Sequence, residues 1–162
     1  MNDPAVKTLV IGLGNPNLGD DGVGWHVAEE ISRRTADNPA VEVDCCSLGG
    51  LNLMERLTGS QRVVLIAAFC SGLRPVGTLS RFTLSDLPDP HSAHSAFSDQ
   101  FLLRNALSVG RGMNILLPRD EDVLVVAIET ENDCDFSQEL SPPVAAAVPQ
   151  AVDLILDILQ TQ

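Results

Sequence analysis

Short apolar runs without a polar interruption recur along the chain, at residues 8–11, 63–69 and 123–128. Such runs are typical of parallel strands that helices cover on both faces. Residues 41–45 predict a further strand. Residues 78–84 alternate apolar and polar positions, which predicts a strand with one exposed face at an edge of the sheet.

Between these runs the apolar residues follow the spacing of an amphipathic helix. This pattern covers the segments 22–34, 51–57, 101–107 and 144–159. Asp20 or Asp21 stands where the N-cap of the first helix is expected. Ser141 and Pro142 predict the start of the last helix, as its N-cap and first residue. Pro149 predicts a kink or a restart inside that helix.

The order of strands and helices predicts an α/β fold of three layers, phosphorylase/hydrolase-like in arrangement. We expect a mostly parallel, twisted sheet with helices on both faces and one antiparallel edge strand. The length of 162 residues suits a single domain spanning residues 1–162. Aromatic residues make up only 4 % of the chain, so the core must be aliphatic.

The charge and the cysteines narrow the classes of partner. A formal net charge of -12 argues against nucleic acid and anionic membrane surfaces, because both attract clustered Lys and Arg. No secretory signal and no apolar run of membrane-spanning length are visible. The four cysteines fit neither a disulfide scaffold nor paired zinc knuckles. We therefore expect a cytoplasmic protein.

The glycine-rich turn from Gly12 to Gly24 is the most informative stretch. Its opening fits a dinucleotide-binding fingerprint, but Asn17 occupies the third glycine position. Asp20 and Asp21 would repel a pyrophosphate, and no Gly-Lys-Ser/Thr follows to form a P-loop. Nucleotide binding is therefore disfavoured. One aspartate can cap the following helix, and the second can serve as an oxygen ligand for a cation.

Ligand sites in open α/β sheets lie beyond the carboxyl ends of the strands. Three segments are expected to converge there: the glycine-rich turn, the segment after Ile66, and the loop from His91 to His94. We interpret His91 and His26 as surface histidines. Trp25 is interpreted as a residue of either a groove or the core.

Several motifs carry a resemblance to a known family. Residues 12–24 resemble the amino-terminal signature of the nickel-hydrogenase maturation endopeptidases. Residues 73–78 resemble the segment that enters that family's next strand, and Ser92-Ala93-His94 resembles its histidine loop. Residues 140–149 resemble the start of its last helix. These motifs fall in order over nearly the whole chain.

The resemblance implies an endopeptidase that removes the C-terminal extension of a nickel-iron hydrogenase large subunit after nickel insertion. The partner would be the precursor of that subunit, and the nickel would arrive with this substrate. Carried over position by position, the family's metal ligands imply Asp21 and His94 in this chain. The resemblance leaves the catalytic residues open, and we expect no covalent acyl intermediate.

The chain departs from the family pattern at a third metal-ligand position. There the family has an Asp at a strand end, and this chain has Ala67. Two ligands replace less of the water shell of a metal ion than three, so we expect weak nickel binding by the protein alone. Thiolates of Cys45, Cys46 and Cys70 are an alternative source of a ligand, although buried cysteines more often act as small apolar residues.

A second departure follows the second predicted strand. The family commonly has Asp-Gly-Gly-Thr there, a stretch linked to substrate recognition, and this chain has Asp44-Cys45-Cys46-Ser47. These four residues are the candidate substrate-binding segment. Two functions stay open: an active endopeptidase, and a binding or chaperone-like module on the same fold that does not cut. In either case, Asp21 and His94 are predicted to approach each other at the rim of the sheet.

Overall fold

A computed structural model describes residues 7–47, 49–87, 98–131 and 135–161 of the chain. The strands and helices in chain order are β1 (Thr8–Leu13), α1 (Val23–Arg34), β2 (Val41–Cys46), α2 (Gly50–Arg56), β3 (Arg62–Phe69), β4 (Leu79–Thr83), α3 (Ser98–Gly112), β5 (Val123–Glu129) and α4 (Pro142–Gln160). Each lies within a few residues of the element that the apolar pattern predicts.

The five strands pair into one sheet in the order β2-β1-β3-β5-β4. All neighbouring strands run parallel except β4, which pairs antiparallel with β5 at one edge. The predicted α/β fold, with a mostly parallel sheet and an antiparallel edge strand, is confirmed. The carboxyl ends of β1, β2, β3 and β5 consequently meet at the same rim of the sheet.

Helices cover both faces of this sheet, and we call them the front face and the back face. Helices α2 and α3 cover the front face, where strand residues such as Leu65 contribute to the core. Helices α1 and α4 cover the back face, where the next strand residue, Ile66, contributes. Successive side chains of a strand point to opposite faces, so an unbroken apolar run supplies both cores at once.

Two glycines of the glycine-rich turn bring α1 close to the sheet. A Cβ atom at Gly12 would collide with the backbone carbonyl of Gly24, and one at Gly24 would collide with the carbonyl of Ile66. A glycine at each position removes these clashes, so the amino end of α1 rests directly on β1 and β3. The close packing of α1 against the sheet therefore explains these two glycines, and nucleotide binding is not needed to explain them.

The prediction that an aspartate caps α1 is wrong. Gly22 occupies the N-cap position and no side chain caps the helix, because a 3-10 turn from Gly19 to Gly22 precedes it. Ser141 does occupy the N-cap position of α4, but its hydroxyl makes no capping bond to that helix. Helix α4 continues through Pro149 to Gln160 as one element.

Helix α4 also corrects the expectation about membrane-spanning segments. Its 19 residues are long and apolar enough, by length and composition alone, to cross a membrane. One stripe of the helix belongs to the back-face core, formed by Val144, Ala147, Ala151, Val152 and Ile155. A core helix passes the same test, so the composition of α4 is weak support for a membrane span.

Candidate functional site

The two neighbouring aspartates of the 3-10 turn have different partners. Asp20 is buried, and its carboxylate accepts two hydrogen bonds from Ser141, one from the backbone N–H and one from the hydroxyl, each at 2.7 Å. This pair ties the turn after β1 to the first residue before α4. The role of Asp20 is therefore structural.

Asp21, the next residue of the same turn, is exposed. Its Oδ2 accepts a hydrogen bond from the backbone N–H of Asn15 at 2.8 Å, which orients the carboxylate. Gly14 has a φ of 116°, and a Cβ there would collide with the backbone carbonyl of Asp21. Glycine at position 14 thus allows the turn to fold back over itself and to hold Asp21 in place.

Asp21 lines a cavity of about 340 Å³ between the front face of the sheet and the helices α2 and α3. The polar residues of its lining are Asn15, Asp21, Ser47, Asp99 and Gln100. Its apolar residues are Leu13, Leu53, Leu65, Leu103 and Val125. A small apolar chamber with several polar groups at its border is the usual form of a ligand site.

The cavity includes one residue of the candidate substrate-binding segment, Ser47. Asp44 is instead engaged by Arg56, whose Nε lies 2.6 Å from its Oδ2. Cys45 packs into the back-face core, on the opposite side of the sheet from the cavity, and Cys46 packs against the front-face core. The structure therefore separates these four residues instead of gathering them at one site.

The thiol of Cys45 is poorly suited to bind a metal. Burial raises its pKa from 9.0 to about 11, with further contributions from the charges of Glu29 and Asp44 and from Cys46. The neutral thiol is therefore favoured, and a metal ion would have to displace its proton at a higher cost than from an ordinary cysteine. Cys70, beyond the end of β3, is exposed.

Ala67 lies on the front face of β3, the face that also carries the cavity. It is 7 % exposed and pairs in register with Ala127, whose side chain belongs to the front-face core. The residue two positions earlier, Leu65, lines the cavity. An apolar methyl group therefore stands on the cavity's face of the sheet, at the position where the resemblance implies a carboxylate. Across residues 7–47, 49–87, 98–131 and 135–161, no three His, Cys, Asp or Glu residues form a group that could hold a metal ion.

Both histidines of the predicted histidine loop, His91 and His94, lie outside the described residues, as does Cys134. The prediction that Asp21 and His94 approach each other therefore stays a prediction. His26 lines a separate groove between α1 and α4. Trp25 is half buried and is not among the residues of the Asp21 cavity.

Three polar residues of the cavity were missed from the sequence: Asn15, Asp99 and Gln100. Gln100 had a signal that could have identified it. It occupies the buried stripe of α3 together with Leu103 and Leu107, as the one amide in that apolar series. A polar residue at a core position of an amphipathic helix needs a partner or a function.

The chain resembles several known proteins. No family profile matches the chain. The hydrogenase expression/formation protein HupD of Bradyrhizobium diazoefficiens is 25 % identical over 153 residues, which are 94 % of this chain and 78 % of that protein. A crystal structure of hydrogenase 2 maturation peptidase from a Thaumarchaeota archaeon superimposes over 96 % of this chain and 99 % of its own, with 25 % identity and a TM-score of 0.64. Over nearly its whole length the chain is therefore similar to proteins named for hydrogenase maturation.

The fold of a maturation endopeptidase extends over nearly the whole molecule. The hydrogenase maturating endopeptidase HybD from E. coli covers 96 % of this chain and 93 % of its own with a TM-score of 0.69, at 19 % identity. The resemblance inferred from the motifs is therefore confirmed. Within this chain, the geometry singles out the cavity beside Asp21 as the candidate active site.

Proposed function

We propose that this chain is an endopeptidase that removes the C-terminal extension from the precursor of a nickel-iron hydrogenase large subunit after nickel insertion. The observation that carries the proposal is the division of labour between Asp20 and Asp21. Both carboxylate oxygens of Asp20 accept hydrogen bonds from Ser141, whereas the carboxylate of Asp21 lines a cavity at the rim of the sheet. Kinship with proteins named for hydrogenase maturation supports the choice of substrate.

Nickel enters this proposal as a part of the substrate. Asp21 would contact the nickel of the precursor through its carboxylate, with His94 as the second protein ligand. The Asn15 N–H fixes the Asp21 carboxylate before the substrate arrives, which lowers the cost of ordering it on binding. Because position 67 offers only a methyl group, we expect the protein alone to bind nickel weakly.

The chemistry proposed for the cavity is attack of a water molecule on the scissile amide. Nickel acts as a Lewis acid when it is bound. The residues of this chain align the precursor, and the apolar part of the lining keeps bulk water away from the amide. Among the described lining residues Ser47 is the one hydroxyl, and neither a histidine nor a cysteine accompanies it. We propose that the reaction passes through no acyl-enzyme intermediate.

Ala67 favours a second candidate function, a binding module that holds the precursor without cutting it. In this case the cavity and Asp21 would still contact the precursor, but no cleavage would follow. The binding segment would be reduced to Ser47, since Asp44 is engaged by Arg56 and Cys45 faces the other side of the sheet. Under both candidates we propose a cytoplasmic location for the chain.

Incubation with the hydrogenase precursor separates the two candidates. The purified chain is mixed with the precursor encoded beside it, once loaded with nickel and once free of nickel, and the mass of the precursor is followed. Loss of the C-terminal extension from the loaded form alone would support the endopeptidase. A stable complex with an intact precursor would support the binding module. If neither cleavage nor a complex is observed, both candidates are contradicted.

A further inference from the structure

A buried amide in the cavity wall lacks a hydrogen-bond partner. Gln100 is only 8 % exposed, and it lines the same cavity as Asp21. Within the part of the chain that the structure describes, only two buried side-chain polar atoms have no partner, Gln100 Oε1 and Trp25 Nε1. Of these two residues, Gln100 alone borders the cavity.

The neighbourhood explains why the Gln100 oxygen is costly to the fold. Along the buried stripe of α3 the next residues are Leu103 and Leu107, which offer no donor. Burial removes the hydrogen bonds that water would make to the amide, and nothing replaces them at the oxygen. A methionine of similar length would fill the same space without this loss. Stability alone therefore does not explain the glutamine.

The cavity supplies the missing partner when it is occupied. The terminal torsion of a glutamine rotates easily, so the buried amide oxygen can turn toward the cavity. The apolar part of the cavity lining consists of leucine and valine side chains, which suit an apolar peptide side chain. An extended peptide also carries an N–H donor at every non-proline residue. The apolar lining and the Gln100 oxygen thus both match a peptide segment.

We propose that Gln100 is a substrate-positioning residue whose amide oxygen accepts a backbone N–H of the precursor segment that enters the cavity. The proposal rests on the proposed function, because it takes the hydrogenase precursor as the peptide. It adds the part of the cavity lining that α3 contributes to the recognition of the substrate. Gln100 then keeps an unsatisfied oxygen in the free protein so that the bound segment is held in register.

The decisive variant is Gln100→Met, because the proposal gives it opposite effects on stability and on binding. Loss of the unsatisfied oxygen should raise the Tm by about 2–4 °C for a chain of this size. Loss of the hydrogen bond should raise both the Kd for the nickel-loaded precursor and the KM of cleavage about five- to tenfold, with kcat changed less than about twofold. A residue with only a structural role would not improve the Tm while weakening the complex.

Two further variants complete the experiment. Gln100→Glu keeps an acceptor oxygen, so its Kd should lie closer to that of the wild type, while a buried carboxylate lowers its Tm. Asn105→Met makes a similar change on the exposed side of α3 and should alter neither quantity. A Gln100→Met protein with unchanged Kd and KM, or with a lowered Tm, would overturn the proposal.

The two proposals can fail separately because binding and cleavage are measured side by side. A wild-type protein that binds the precursor without cutting it would refute the endopeptidase, and the Kd series would still decide the role of Gln100. A wild-type protein that cuts the precursor with the same KM as Gln100→Met would refute the role of Gln100 and leave the endopeptidase intact.

Discussion

The back face and the front face of the sheet differ in how their helices pack at the rim. On the back face, α1 and α4 are tied together at the rim, where buried Asp20 holds Ser141 at the start of α4. On the front face, α2 and α3 leave a cavity with Asp21 at its border and the unpartnered Gln100 in its wall. Under the proposed function, Asp20 serves stability on one side and Asp21 serves recognition on the other. The motif would then contain both a structural and a functional residue.

The largest effect on stability is expected from Asp20→Ala. This change removes two charge-assisted hydrogen bonds and leaves the N–H of Ser141 without its acceptor. We expect the free energy of unfolding to fall by about 2–4 kcal/mol. Urea unfolding measures this loss, with Asp21→Ala as the matched control.

Asp21→Ala should cost about 1 kcal/mol or less, because it removes one bond at an exposed site. Equal losses in the two variants would contradict the division between the faces.

A smaller effect concerns nickel on the front face. Ala67→Asp places a carboxylate beside the cavity and should strengthen nickel binding by the protein about tenfold, because a divalent cation offsets the cost of burying the charge. Calorimetric titration with nickel measures this change. The matched control is Ala68→Asp, since the side chain of Ala68 packs on the back face and should add no affinity.

Unchanged binding by a folded Ala67→Asp protein would show that position 67 does not face the metal. Replacing Cys45, Cys46 and Cys70 together should leave the binding of the wild type unaltered. Tight wild-type binding that disappears in this triple variant would establish a thiolate site instead.

The smallest effect is a pH dependence from the back face. Burial raises the pKa of Cys45 from 9.0 to about 11, so the thiol ionises in the unfolded chain before it does in the fold. Stability is therefore complete below about pH 9 and decreases as the pH rises from about 9 to 11. The thiol is partly exposed, so we expect a loss of no more than about 1 kcal/mol.

Urea unfolding at pH 8 and pH 10.5 measures this decrease, with Cys45→Ala as the reference protein. The loss of stability between the two pH values should be smaller in Cys45→Ala. An identical loss in both proteins would mean that Cys45 does not titrate differently on folding.

Most of the fold could be predicted from the sequence because buried positions recur along each strand and helix at a spacing typical of that element. The unbroken run at residues 63–69 predicts the central strand β3, and the alternation at 78–84 predicts the antiparallel edge strand β4. The beginning of α1 could not be predicted in this way. Asp20 has its partner at Ser141, far along the chain, and local capping preferences carry no information about such a contact.

The site was predicted only in part. The candidate role of Asp21 came from a motif, whereas Asp99 and Gln100 reach the same cavity only through the packing of α3 on the front face. For Gln100 the one local signal is its amide within the apolar stripe of α3. The substrate segment shows the opposite error, since alternation along β2 sends Cys45 and Cys46 to different faces. Consecutive residues at the end of a strand therefore do not form a single binding surface.

Cleavage of the nickel-loaded precursor by the wild type, Asp20→Asn and Asp21→Asn tests the central claim most directly. The Asp21 variant keeps an acceptor for the Asn15 N–H, so it should fold normally and yet release the C-terminal extension at least about 100-fold more slowly, because a charged ligand for the substrate's metal is lost. Asp20→Asn, once folded, should cut the precursor at nearly the wild-type rate. Full activity in Asp21→Asn, measured as the mass of the released extension over time, would contradict the assignment of this cavity as the active site.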